Sequence, residues 1–375
     1  MHEGEGWLAM AHDGLLNTGR RARLALRSML ATVVVWMAMG AGPAVAAEPP
    51  TTLSSRLPGK LLVESGRGRA FDTHLIELAS GRSQILPRSP AGEAQSSADV
   101  WRPGQPGGSG TLVRTDPIGN LAFFDGRSLR EDGGIALQPL RERGLDPKFR
   151  SAVPSPDGRL LAGYWWPNGD GKPRLFVITR GLKLIDNGSP LRYPSDGATQ
   201  AIDWLPDGRY VYLAGDTLVV ARPGGGIVSQ GRLALPRGVD PEGARLKASP
   251  DGRHVLLTMD TRTRVPLGLL FTARIDGSEV KLLTEPGGRL ARDNDVRLSM
   301  QGATWSPDGR WIAFVVRGVN PGVAGAYSAC QPVLVVPFDG ASHVIDGVGD
   351  EERYGLRVRG ESTPLKACGT VGWLP

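Results

Sequence analysis

Only 22% of the 375 residues are charged, 6% are aromatic and two are cysteine, which narrows the chemistry open to this chain. There is no Cys-x-x-Cys spacing for a redox pair and no His-x-x-x-His spacing for a metal. A hydrolase elbow of the form Gly-x-Ser-x-Gly is also missing, because Gly107-Gly108-Ser109-Gly110-Thr111 fails at its last position. The net charge of +6 is mild and dispersed, short of the clustered basic face that nucleic-acid binding calls for. Glycine and proline, by contrast, are abundant, with 52 and 30 copies. No Gly-X-Y register accompanies them, which excludes collagen, and their number excludes a long coiled coil.

The apolar run Met29–Met39 is shorter than the roughly 20 residues of a spanning helix. Arg20, Arg21, Arg23 and Arg27 precede it, and the small residues of Gly40–Ala47 follow. This is the pattern of a secretory signal peptide, expected to be cleaved after Ala46 or Ala47. Residues 1–46 are therefore read as the signal and 47–375 as a single exported domain, periplasmic or secreted, with no membrane span after cleavage. No cysteine lies near the cleavage point to carry a lipid anchor. In an oxidising compartment Cys330 and Cys368 are expected to form one disulfide, two reduced thiols being the alternative.

Internal repetition accounts for the glycine and proline. Ser-Pro-Asp-Gly recurs at 155–158, 249–252 and 306–309, with the variant Leu205-Pro206-Asp207-Gly208. Each copy is followed by Arg and an apolar strand and preceded by a shorter one. Asp-Gly between extended runs is a hairpin signal, because glycine takes positive φ and aspartate satisfies the turn backbone. Degenerate copies at Trp101-Arg102-Pro103 and Leu57-Pro58-Gly59-Lys60 place the turn prolines at 58, 103, 156, 206, 250 and 307. Spacings of 44 to 57 residues suit four short strands per unit, as in a propeller blade. Outer hairpins are expected as well, among them Val333–Pro337 with His343–Ile345 around Asp339-Gly340.

The chain ends Gly372-Trp373-Leu374-Pro375, which repeats Trp204-Leu205-Pro206 and stops. The turn and strand due next occur at Gly59–Val63, so the last segment is expected to supply the innermost strand of blade 1 and to close a ring of six blades. The expected class is all-β, a six-bladed β-propeller of four-stranded antiparallel blades. This repeat resembles that of TolB-type six-bladed β-propellers, over a span from about residue 53 to the C-terminus. The resemblance implies a fold shared by binding scaffolds and by propellers that gate proteases. The α/β domain that TolB carries before its propeller has no counterpart in the short segment between Ala47 and blade 1.

Three histidines follow the signal, His74, His254 and His343, one in each of blades 1, 5 and 6, and are expected to be structural. The turn aspartates are assigned to turn formation, and Asp293-Asn294-Asp295 lacks the glycine and distal glutamate of an EF-hand loop. Innermost strands line a propeller's axial channel, and their polar residues Asp99, Arg150, Asp203, Arg245, Lys247 and Thr304 are the candidate ligand-binding set. No catalytic residue, metal or cofactor is assigned. Blade 6 carries insertions at 318–331 and 346–366, the second charged and loop-like, and loops on a rigid repeat often carry binding. The disulfide is expected to reinforce the seam where the termini meet. These features together point to a monomeric, non-catalytic scaffold for a protein or peptide partner of the cell envelope. A lyase- or lactonase-type enzyme with its active site at the channel mouth is the alternative.

Overall fold

The computed structural model describes residues 57–67, 70–89, 100–104, 110–116, 119–136, 138–142, 145–147, 152–167, 174–190, 201–262, 267–286, 297–319, 330–345, 350–359, 361–368 and 371–375. Residues 1–56, with the expected signal peptide, lie outside them, as do most of the 318–331 insertion and Asp293–Asp295.

Among the described residues the strands form six antiparallel blades, of which blades 2 to 5 run in sequence from innermost to outer strand. Blade 2 comprises Val100–Pro103, Thr111–Thr115, Leu121–Asp125 and Glu131–Ile135. Blade 4 comprises Ile202–Trp204, Tyr210–Ala214, Thr217–Arg222 and Gly226–Arg232. Blade 3 follows the same order from Val153–Pro154 and blade 5 from Val239–Ala248. Blade 1 is built from both ends of the propeller. Its innermost strand is the C-terminal Val371–Leu374, paired antiparallel to Lys60–Arg67 with Lys60 opposite Leu374 and Val63 opposite Val371.

Packing explains why the strands read as continuous apolar runs rather than alternating ones. Side chains on a strand point alternately to its two faces, and in a radial blade both faces are covered by neighbours. In Arg174–Thr179, Phe176 and Ile178 pack toward blade 2, while Leu175 and Val177 pack toward blade 4. The buried apolar residues fall into six clusters, one for each blade-to-blade interface. The cluster between blades 6 and 1 joins Ala313 and Val333 to Leu61 and Trp373, so the ring is closed by a core like the other five.

The repeat tryptophans pin neighbouring blades. Trp204 donates from Nε1 to the Val153 carbonyl at 2.9 Å, and Trp305 donates to that of Lys247 at 3.1 Å, in each case the preceding blade's inner strand. At the closure Trp373 donates to the Pro58 carbonyl at 2.7 Å.

The Ser-Pro-Asp-Gly turn is a small hydrogen-bonded unit. In the first copy Ser155 Oγ donates to Asp157 at 2.6 Å and accepts from the Leu160 amide at 2.9 Å. Asp157 also accepts from the Arg159 amide at 3.1 Å, and Gly158 holds a φ of 69°. The same bonds recur around Ser249 and Ser306. Burial favours the protonated form of Asp157, Asp251 and Asp308. The serine and backbone hydrogen bonds, with nearby charges, more than offset it, so these carboxyls titrate below their ordinary value. A lowered folded-state pKa contributes stability that is present above the unfolded value and lost as pH falls through the folded one. We therefore expect Ser155→Ala, Ser249→Ala and Ser306→Ala together to flatten the decline of stability below about pH 4 and to lower stability at neutral pH. Denaturant titrations from pH 2 to 7 check this, and an unchanged acid slope contradicts it.

Blade 6 departs from the sequence expectation. His343–Ile345 does not pair back on Gln331–Pro337; it pairs in parallel with Thr284–Pro286, the segment leaving blade 5. The place beside Gln331–Pro337 is taken by the second insertion. Lys366–Ala367 pairs with Gln331 and Pro332, and the amides of Leu356 and Val335 bond to the carbonyls of Val333 and Tyr354 at 2.9 Å. This segment is no free loop, because Leu356 and Val358 are buried in the cluster between blades 6 and 1. Its charged residues Glu351, Glu352, Arg359 and Glu361 face solvent. Cys330 and Cys368 form a disulfide, and the Cys368 amide donates to the Glu64 carbonyl of blade 1 at 2.7 Å.

Candidate functional site

Among the described residues, polar side chains of different blades come together at the axis, where the inner strands converge, in a groove at one end face between blades 4 and 5, and in a cavity of about 360 Å3 between blade 1 and the segment packed on blade 6. Of the residues expected to line the axis, Asp99 and Arg150 lie outside the described residues. Asp203 and Thr304 lie on inner strands but are only 2% exposed. Asp203 spends both carboxylate oxygens on backbone amides, accepting from Trp204 and, across the blade boundary, from Ala248, each at 3.0 Å. Burial raises its pKa, against the pull of Lys247 and these two bonds. Its position is that of a stitch between blades 4 and 5.

Arg245 and Lys247 do converge. They line a small axial cavity with Leu246 of their own strand, Arg102 and Pro103 of blade 2, Gly302 and Ala303 of blade 6, and Val371 of the closing strand. Arg102 is the residue that sequence reasoning passed over. Trp101-Arg102-Pro103 puts an arginine where Trp204-Leu205-Pro206 and Trp373-Leu374-Pro375 put a leucine, so a charge at a core position of the repeat was the available signal. Arg102 is 5% exposed, and its Nε has no hydrogen-bond partner among the protein atoms. Burial, then the like charge of Arg245, brings its pKa down to about 10, with Glu64 acting the other way. Arg245 is lowered as well, by burial, against the attraction of Asp260 and Glu64.

The end-face groove is far larger, about 1080 Å3. Its walls are the hairpin turn Ala214–Thr217 of blade 4, the connection Arg232–Pro241 into blade 5, and Arg262. Arg232 pairs with Asp216 at 2.7 Å and Arg262 with Asp240 at 3.5 Å, while Arg237 stands exposed on the wall. Among the described residues, three arginines and two aspartates line the groove, an excess of positive charge. Being assembled from connecting loops of two adjacent blades, it has no motif of its own.

The histidines sit away from the axis and the groove: His74 lines the cavity between blades 1 and 6 with Ser83, Glu361 and Lys366, His254 is on the second strand of blade 5, and His343 is on the strand paired in parallel with Thr284–Pro286. His74 Nδ1 lies 3.2 Å from Ser83 Oγ, His254 packs edge-on against Phe338 with ring centres 5.2 Å apart, and His343 Nε2 lies 3.1 Å from the Pro337 carbonyl oxygen. No group of three or more His, Cys, Asp or Glu residues placed to hold a metal occurs among the described residues. No described helix is long and apolar enough to cross a membrane.

No protein-family model matches the chain, and no curated protein matches it in sequence. Among solved structures it is similar to TolB from Acinetobacter baumannii, with 14% identity and a TM-score of 0.47 over 76% of this chain. The match spans 63% of that TolB chain. The six-bladed propeller architecture itself is shown by the strand order of the chain. Similar matches reach the periplasmic gluconolactonase PpgL of Pseudomonas aeruginosa, at 17% identity and a TM-score of 0.42 over 76% of this chain and 80% of that one. An oligogalacturonate lyase in complex with manganese matches at 14% identity and 0.41, over 77% and 74% of the two chains. At these levels the likeness concerns architecture, which the strand order already establishes, and a six-bladed propeller can carry any of several functions.

Proposed function

We propose that this TolB-type propeller is an exported, monomeric and non-catalytic scaffold of the periplasm or secreted fraction, binding a protein or peptide partner of the cell envelope in the groove between blades 4 and 5. The observation that carries this reading is the groove itself. At about 1080 Å3 and open to solvent, it has room for a peptide segment, and it is walled by polar loops on a rigid ring, the usual setting for recognition. Its surplus of arginine suits a partner segment rich in Asp and Glu, since complementary charge sets specificity and association rate. The axial cavity is too small to compete for such a ligand.

Charge reversal tests the assignment. Arg237→Glu with Arg262→Glu alters two exposed side chains and should leave the melting temperature within a degree or two, as surface substitutions generally do. Capture of the partner from the native envelope, quantified against the wild-type protein, should fall by about tenfold or more, a loss of at least ~1.4 kcal/mol. Undiminished capture by the folded double variant removes the groove from the account.

A further inference from the structure

We propose that the axial cavity between blades 1, 2, 5 and 6 is a binding site for one monatomic anion, chloride under cellular conditions. Three cationic residues, Arg102, Arg245 and Lys247, line this cavity, and no carboxylate does so among the described residues. Blades 2 and 5 stand opposite each other in a six-membered ring, so Arg102 and Arg245 approach the axis from opposite sides with like charge. The remaining walls, Pro103, Leu246, Gly302, Ala303 and Val371, carry no polar side chain.

Three carboxylates lie within electrostatic reach. Glu64 attracts both arginines, Asp260 attracts Arg245, and Asp203 attracts Lys247. Asp203 is engaged by backbone amides, and burial pushes both Asp203 and Asp260 toward the neutral form. None of the three hydrogen-bonds Arg102 Nε, which is a buried donor without a protein acceptor. Buried donors in native proteins are nearly always satisfied by protein, ordered water or an ion.

Size chooses the occupant. The space open to a water-sized group is about 20 Å3, which suits one small monatomic occupant better than phosphate, sulfate or a free carboxylic acid. A halide fits that space, carries the sign that separates the two guanidinium groups, and accepts from several N–H donors at once. Guanidinium is itself weakly hydrated and suits a partly desolvated partner. Because Val371 of the closing strand forms one wall, a bound anion also joins blades 2 and 5 to the seam of the ring.

The site does not depend on the groove assignment and is tested separately. Melting temperature is measured at constant ionic strength while gluconate, which is too large to enter, is replaced by chloride or bromide. The expected result is a saturable rise of about 3 °C or more with either halide. Arg102→Met and Arg245→Met should each abolish that rise. For the case in which these variants do not fold, wild-type crystals grown in bromide should show anomalous density in the cavity within hydrogen-bonding reach of Arg102 Nε. A melting temperature indifferent to the anion, an identical response in a folded Arg102→Met variant, or bromide-grown crystals without that density would mean that the cavity holds water only, and would overturn the proposal.

Discussion

Deleting Val371–Pro375 is expected to abolish cooperative folding. The segment forms the innermost strand of blade 1, in register with Lys60–Val63, and it buries Val371, Trp373 and Leu374 to within 2% exposure. Losing a buried tryptophan and a buried leucine costs about 5–10 kcal/mol on large-to-small precedents, before the lost strand ladder is counted. That approaches the whole stability of a typical domain, about 5–15 kcal/mol. The damage spreads beyond blade 1, because Trp373 belongs to the core between blades 6 and 1 while Leu374 belongs to that between blades 1 and 2. The closure is also tightly fitted. Gly59 has a φ of 80°, and a Cβ built there would lie 2.0 Å from the Leu374 carbonyl oxygen, so only glycine tolerates the approach. Calorimetry and near-UV circular dichroism decide the matter. A truncated chain that still melts in one sharp transition within a few degrees of the full chain contradicts the closed ring.

Excising residues 350–365 is expected to unfold or severely destabilise the protein, although the segment is charged and was read from sequence as a loop. It supplies Tyr354, Leu356 and Val358 to the interior and covers the outer edge of Gln331–Pro337 with backbone hydrogen bonds. The single substitution Leu356→Ala, at a position with 0% exposure, should cost about 2–5 kcal/mol in denaturant unfolding. Glu351→Ala and Glu361→Ala on the exposed side should change stability by about 0.5 kcal/mol or less. The contrast between the two classes is the informative result. A neutral Leu356→Ala would return the segment to the status of a surface loop and reopen it as a partner-binding element.

Much of the architecture was legible because the repeat writes one physical rule several times. Ser-Pro-Asp-Gly fixes a turn by its own side chains, Trp at a set distance before the proline reaches the preceding blade, and the unfinished Gly372–Pro375 finds its continuation at Gly59–Val63. Blade 6 was misread at its edge because Asp339-Gly340 followed by His-Val-Ile has every local feature of a hairpin, and a parallel pairing with Thr284–Pro286 leaves no local mark. The insertion did carry a signal. Leu356-Arg357-Val358-Arg359 alternates with the period of a half-buried strand, and the acidic residues on either side obscured it. Of the axial set, Arg245 and Lys247 line the axial cavity and Asp203 and Thr304 are buried on inner strands, while Asp99 and Arg150 lie outside the described residues. Whether Asp203 faces a ligand or a neighbouring backbone amide depends on how adjacent blades dock, which no strand specifies alone. The groove between blades 4 and 5 was not legible at all, since connecting loops of two repeats create it.

The closed ring underlies each of these arguments, and hydrogen exchange of the intact protein measures it directly. If Val371–Leu374 is an integral strand of blade 1, its ladder amides and those of Lys60–Val63 should exchange as slowly as those of Trp311–Val315 in blade 6, all through global unfolding. Fast exchange of both Val371–Leu374 and Lys60–Val63, alongside a protected Trp311–Val315, would show an open array with a frayed end and would contradict the account.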